Sequence, residues 1–555
     1  MERRALNLPV VLLICAMAAV AGLLLILAAD LTFFGDSWET LMNRRDFTAD
    51  ALFAPHNEHL VALPVLITQI VLRVFGMSSP MPEFVILAAG LLATAALLFV
   101  YVRRRIGPWP ALFAAVLLLA FGPAFEVLLW SYEIGFVGAI CFGLASLLAL
   151  EREDGRGDLL AVIFLSLSLG FSTLGVSFIL GAAVAIALGP RQRWLRRAYV
   201  VAIPAALFVA WYLGWGHDAE SHLSLKNVLA APRFVAEEVA VGVGGLFGLG
   251  TSPTTGSPDP VWGRAILVAL VVGIGVLVHR RLRKPEPGLP FPGLWPVAAA
   301  AAANWFLTAF NAFPGRDPAA SRYQYATAVF VLAIAANLLR GVRFDRRALV
   351  IAIPLAALAI APNLVVLKNG RDFFYGQTVI TRADTAALEI ARETVSPDFQ
   401  LNPEVAGAPT LIDIFAGEYF TATDEYGSPA YSVSELESAP EAGRHQADVV
   451  LATALPIAKS TEPGSLGSTA GCATQPAGPK QEVAVGPGTT RIEVSPGPAA
   501  SIDLRRFAAG EYPVQTEGAP GGTVTELTIP ADRATNPWYL LVEAEQQIRI
   551  CPPGG

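Results

Sequence analysis

Carboxylates and imidazoles crowd one stretch of the chain, where G-D-S-W-E from Gly35 to Glu39 is followed by P-H-N-E-H-L from Pro55 to Leu60. Asp36 and Glu39 are three residues apart, so a helix beginning after Gly35 sets both carboxylates on one face. There they could share a proton, a metal or a substrate hydroxyl. The same spacing also suits a capping box with Asp36 as N-cap and Glu39 at N3, and that structural use is the commoner one. His56, Glu58 and His59 form a dense second group, and His217, Asp218, Glu220 and His222 form a third, so four of the six histidines fall in two short segments. Imidazoles and carboxylates ligate divalent ions such as Mg or Mn, which makes Asp36, His217, Asp218 and His222 a candidate metal set. Solvated interfacial polar residues are the plainer meaning of the same pattern. Lys226, Arg316 and Arg322 could neutralise a phosphate, arginine offering a bidentate fork. Equally, they could anchor helix ends at lipid headgroups.

What must position these groups is membrane-bound. The chain has 555 residues, 54% hydrophobic and only 15% charged, with mean hydropathy +0.52, which excludes an ordinary soluble protein. Its net charge of -7 says less than its distribution, because basic residues gather in short loops between apolar runs. Nothing in that balance points to nucleic acid. The first run, Leu6 to Leu31, is too long for a signal-peptide core and reads as a retained span.

About twenty apolar residues cross the hydrocarbon core, and loop charge then orders the spans. Leu60 to Phe75 is short and broken by Pro64; were it a span, Arg103, Arg104 and Arg105 would land outside. It is therefore expected as an interfacial helix on the outer surface. The second span becomes Glu83 to Tyr101, and nine more follow near Trp109–Phe125, Glu133–Leu150, Leu159–Phe171, Leu174–Leu188, Tyr199–Trp215, Val261–Val278, Trp295–Phe313, Tyr323–Leu339 and Leu349–Leu367. That is an α-helical polytopic membrane protein of about eleven transmembrane helices, N-terminus in the cytoplasm and C-terminus outside. The acidic and histidine segments all fall on the outer side, residues 33–82 forming the first outer loop.

After residue 367 the composition turns to Gly, Pro, Ser, Thr and acids, and no later run is long enough to span. Residues 368–460 are expected as a mixed α/β connecting region, with helical spacing over Ala383 to Thr394. Residues 461–555 are expected as a β-sandwich-like domain, its strands at Thr490–Val494, Ser501–Leu504, Gly522–Ile529 and Trp538–Val542 and a Gly/Pro/Ser-rich linker over Thr461 to Gly488. Both parts would lie outside the cytoplasm. Cys472 and Cys551 share this oxidising region and are expected to form a disulfide.

The order of these pieces resembles the multi-span glycosyltransferases of the GT-C fold that use lipid-linked sugars, most closely their bacterial mannosyltransferase-like and arabinosyltransferase-like branches. The resemblance runs from Leu6 to Leu367 and rests on G-D-S-W-E after the first span, P-H-N-E-H-L, a surface helix ending V-F-G at Gly76, and R-R-R-I-G from Arg103 to Gly107. It implies an enzyme of the bacterial inner membrane that transfers a sugar, with inversion, from a polyprenyl-phosphate donor to an envelope glycan, glycolipid or protein on the outer face. Asp36 matches the family's catalytic acid position, and Ser37 replaces the acid that many members carry beside it, leaving Glu39 as the nearest substitute. His56, Glu58, His59, Lys226, Arg316 and Arg322 are the expected substrate-binding residues. A transporter or flippase would explain the spans but calls for charged residues at midplane, where these segments carry almost none. A non-enzymatic envelope scaffold would leave the acid and histidine groups unexplained.

Overall fold

The structure, a computed structural model, describes residues 8–251, 258–282, 291, 293–314, 316–342, 344, 346–401, 414–467, 471–510 and 512–553. It divides into two compact units. The first holds Met1–Ala29, Arg44–Val71 and Met81–Phe373, and the second Asp30–Asn43, Leu72–Pro80 and Phe374–Gly555.

The first unit is helical and membrane-like. Among the described residues five helices are long and apolar enough to cross a bilayer: Leu8–Ala28, Met81–Ile106, Ser131–Leu150, Arg191–Gly214 and Val350–Ala391, the last passing into the second unit after Phe373. A sixth crossing results if a bent pair, Pro108–Leu119 and Gly122–Leu129, counts as one span. Length and composition alone therefore yield five or six crossings, fewer than the eleven expected. Part of the difference lies in Gly175–Ala187 and Leu294–Phe310, which are apolar but short of 18 residues. Ala62–Phe75, expected as a surface helix rather than a span, is also of this short apolar kind.

The bent pair has a local cause. Its two halves meet at 45°. A Cβ on Gly122 would stand 1.8 Å from the Asn363 carbonyl oxygen, so only glycine lets the two backbones approach there, and Pro123 next to it removes a helical donor. Asn363 in turn donates from Nδ2 to the Gly245 carbonyl at 3.0 Å, filling its own buried amide valence.

In the second unit, the helical spacing seen at Ala383 is not a separate element. One helix of 46 residues runs from Arg346 to Ala391, because nothing between Leu367 and Ala383 breaks it. Helices Ala416–Tyr426, Val433–Glu437 and Glu441–Ala454 follow, the second opened by a capping box between Ser432 and Glu435. A two-stranded antiparallel pairing of Gln400–Leu401 with Ile414–Phe415 and two larger antiparallel sheets complete the unit. One has four strands, Gly478–Val485, Trp538–Ala544, Ala500–Arg505 and Val514–Ala519 in spatial order; the other has five, Ala458–Pro463, Thr523–Ile529, Gly488–Val494, Ile548–Cys551 and Ala473–Gln475.

Alternate residues of both sheets, among them Ile492, Val494, Ile502, Leu504, Leu527 and Leu540, enter one hydrophobic cluster, as a period of two requires. The expected linker over Thr461 to Gly488 is largely strand instead. Ala458–Pro463 is exposed along its whole length and is held by pairing with Thr523–Ile529 rather than by an apolar pattern of its own. Cys472 and Cys551 are joined by a disulfide.

Helix Glu441–Ala454 is tied to the sheets through its carboxylates. Asp448, fully buried, accepts backbone N–H bonds from Arg506, Phe507 and Ala508 at 2.8 to 3.1 Å. Arg506 itself pairs with Asp532 at 2.6 Å, both side chains almost fully buried.

Candidate functional site

Residues 33–64 do not stay together as one loop: Asp30–Asn43 belongs to the second unit and Arg44–Val71 to the first, so each half is described in its own unit.

In the second unit Asp36 begins the helix Asp36–Asn43. Gly35 precedes it at φ 52°, a conformation that glycine adopts without strain, and the turn closes with Trp38 N donating to the Gly35 carbonyl at 3.0 Å. Ser37, Trp38, Thr40, Leu41 and Met42 are buried, whereas Asp36 and Glu39 remain half-buried. The indole of Trp38, with no exposed surface, donates to the Phe33 carbonyl at 3.2 Å and packs 6.4 Å from the Tyr419 ring. The two carboxylates thus share a partly open face of a helix anchored by its other residues, the face their spacing implies.

In the first unit, P-H-N-E-H-L forms a tight turn. His56 and His59 exchange backbone hydrogen bonds at 3.0 and 2.8 Å, and Asn57 takes the left-handed φ of 50° that asparagine tolerates. Arg44 holds the approach to this turn, donating to the carbonyls of Ala54 at 2.8 Å and Pro55 at 2.7 Å. Gln69, fully buried, donates to the carbonyls of Arg44 and Asp46. Arg44 did not stand out in the sequence, since a residue that caps backbone carbonyls needs no motif.

The turn presents Glu58 and His59. Glu58 pairs with Arg316, whose side chain is only 8% exposed, and its Oε1 lies 3.6 Å from His59 Nε2. Burial alone would raise the Glu58 carboxyl, but the Arg316 hydrogen bond and the charges of His59 and Arg316 outweigh it and hold it below the usual carboxylate range. His59 Nδ1 meets the Thr173 hydroxyl. Arg316 also covers the Phe313 ring at 4.9 Å, and the His222 ring packs against the same Phe313 ring with centroids 4.7 Å apart. Asn227 donates to the carbonyls of His222, Phe310 and Ala312, fastening the His222 segment to the Arg316 loop. Next along that loop, Arg322 donates its backbone N–H to Glu126 at 2.9 Å.

Of the expected residues the first unit therefore gathers Glu58, His59, His222 and Arg316. His56 is buried behind the turn with its ring 5.2 Å from Tyr132, and Lys226 is exposed. The metal set is not assembled as a ligand cage. His217 lies 3.6 Å from Asp218 and His222 3.7 Å from Glu220, two exposed neighbour pairs, and among the described residues no three His, Cys, Asp or Glu side chains converge as a metal requires.

No protein-family model matches the chain, and no curated protein matches it.

Proposed function

We propose that the protein is an integral-membrane inverting glycosyltransferase of GT-C type. It moves a sugar from a polyprenyl-phosphate donor to a glycan, glycolipid or protein acceptor of the cell envelope. The observation that carries this reading is Asp36, a half-buried carboxylate on a helix whose intervening side chains are buried. Such a base is fixed in position yet open to a hydroxyl. In this mechanism Asp36 takes the proton of the acceptor hydroxyl, its oxygen bonds to the anomeric carbon from the face opposite the phosphate, and polyprenyl phosphate leaves. Glu39 orients the base.

The reading carries a topology of about eleven spans with the basic loops inside and the C-terminal sheets outside, in a bacterial inner membrane. A test uses purified protein in nanodiscs, given polyprenyl-phosphate sugars and envelope glycan acceptors. The expected products are free polyprenyl phosphate and a glycoside of inverted configuration. Binding of none of the lipid donors would remove the proposal.

A further inference from the structure

Helix Leu225–Leu246, outside the candidate spans, crosses helix Ser321–Leu338 around Gly242. A Cβ on Gly242 would stand 2.5 Å from the Thr327 methyl carbon and 3.2 Å from Gln324 Oε1, so the two helices touch there without space for a side chain. One turn earlier lies Glu238, completely buried. Thr327 Oγ1 donates to Glu238 Oε1 at 3.0 Å and itself accepts from the Trp305 indole at 3.0 Å. At the same crossing two fully buried oxygens, Glu238 Oε2 and Gln324 Oε1, have no hydrogen-bond partner among the described residues. Both are acceptors when Glu238 is ionised, and two bare acceptors buried together are costly. A single proton on Glu238 makes one of them a donor to the other.

Gln324 uses its other end as well. Its Nε2 donates to the Pro318 carbonyl at 3.0 Å, in the loop that carries Arg316. We propose that Glu238 is held as the neutral acid, donating its proton to Gln324, and that this pair positions the Arg316 loop: Glu238 to Gln324, Gln324 to Pro318, and Arg316 to Glu58. Both are positioning residues, and the inference does not depend on the reaction proposed above. Burial, opposed by the single hydroxyl bond from Thr327, pushes the Glu238 carboxyl up to about 8, consistent with a proton retained at neutral pH. The charged and titratable groups around the crossing are Tyr323, which feels Glu238 together with Arg316, Arg322 and Glu58, and the Glu237–Arg264 ion pair. Burial brings the titration of Glu238 itself into the neutral range.

Removal of the proton sets a carboxylate against the amide oxygen of Gln324. The amide must then turn, and turning it withdraws Nε2 from Pro318. Loss of order in the Arg316 loop should follow as the protonated fraction falls about tenfold between about pH 6 and about pH 9, given a group titrating near 8.

The test is infrared difference spectroscopy and hydrogen exchange on the full chain in nanodiscs. At neutral pH the parent should show a protonated-carboxyl band that Glu238→Gln lacks. Protection of peptides from Asn311 to Gln324, corrected for intrinsic pH dependence, should fall about tenfold across that window in the parent and stay constant in Glu238→Gln. Gln324→Met, a second variant that keeps the carboxyl, should shift the band to that of an unbonded acid and lower loop protection at every pH. A parent lacking the band would overturn the proposal, as would a loop whose protection ignores pH in the parent or ignores the loss of the amide in Gln324→Met.

Discussion

The Arg316 guanidinium is bonded to the Glu58 carboxylate across a separation of 258 residues, and both side chains are largely withdrawn from solvent. A tight histidine turn and a loop between two helices are thereby joined by opposite charge rather than by apolar packing. The consequence is measurable in pH.

Glu58 titrates below its ordinary value because Arg316 and His59 outweigh its burial. A carboxylate depressed on folding contributes stability that is present above the unfolded value and lost as pH falls through the folded one. Thermal unfolding of the parent should therefore weaken on acidification below the usual carboxylate range, and Glu58→Gln should flatten that part of the profile. At neutral pH Glu58→Gln should cost roughly 1.5–3 kcal/mol, the cost of losing a charged hydrogen bond. A melting profile of Glu58→Gln parallel to the parent down to about pH 3 would mean the pair carries no linkage.

Trp38 tests whether the helix bearing Asp36 is anchored as described. Its indole has no exposed surface and satisfies its N–H on the Phe33 carbonyl. Truncation to alanine should destabilise the protein by about 3–5 kcal/mol. Calorimetry or denaturant unfolding reads this directly, and a loss under about 1 kcal/mol would contradict the burial.

Cys472 and Cys551, 79 residues apart in sequence, close a long loop. In the chain-entropy model, a loop of this size is worth roughly 4–5 kcal/mol, and removing a native disulfide usually costs about 2–5 kcal/mol. Peptide mapping without reductant should recover the linked pair from protein made in an oxidising envelope. The double serine variant should unfold earlier by that margin.

Much of this architecture was legible in the residues, for reasons that are physical. The strands near Thr490, Ser501, Gly522 and Trp538 alternate buried and outward side chains, so period two exposed them, and each is found within a residue or two of its expected position. Strand Ala458–Pro463 could not be read, because its side chains are all exposed and pairing alone holds it. The bend at Gly122 is set by the backbone of Asn363, far away in sequence, and the union of two expected helices into Arg346–Ala391 shows only in the lack of a breaker. In the candidate site, residue type picked out Glu58, His59, His222 and Arg316, yet not their partners. Asn227, Thr173, Gln324 and Glu238 act through contacts between distant segments, and a lone polar residue in an apolar helix carries no spacing to mark it.

The central claim rests on Asp36 as the base, and asparagine at that position is the most direct test. Asn caps a helix about as well as Asp, so Asp36→Asn should insert, fold and bind polyprenyl-phosphate sugar like the parent. Without a basic oxygen it should lose on the order of a hundredfold or more in the rate of sugar transfer, measured in nanodiscs with donor and acceptor supplied, while Glu39→Gln loses less. Transfer by Asp36→Asn at near the parental rate would make Asp36 a cap and contradict the account.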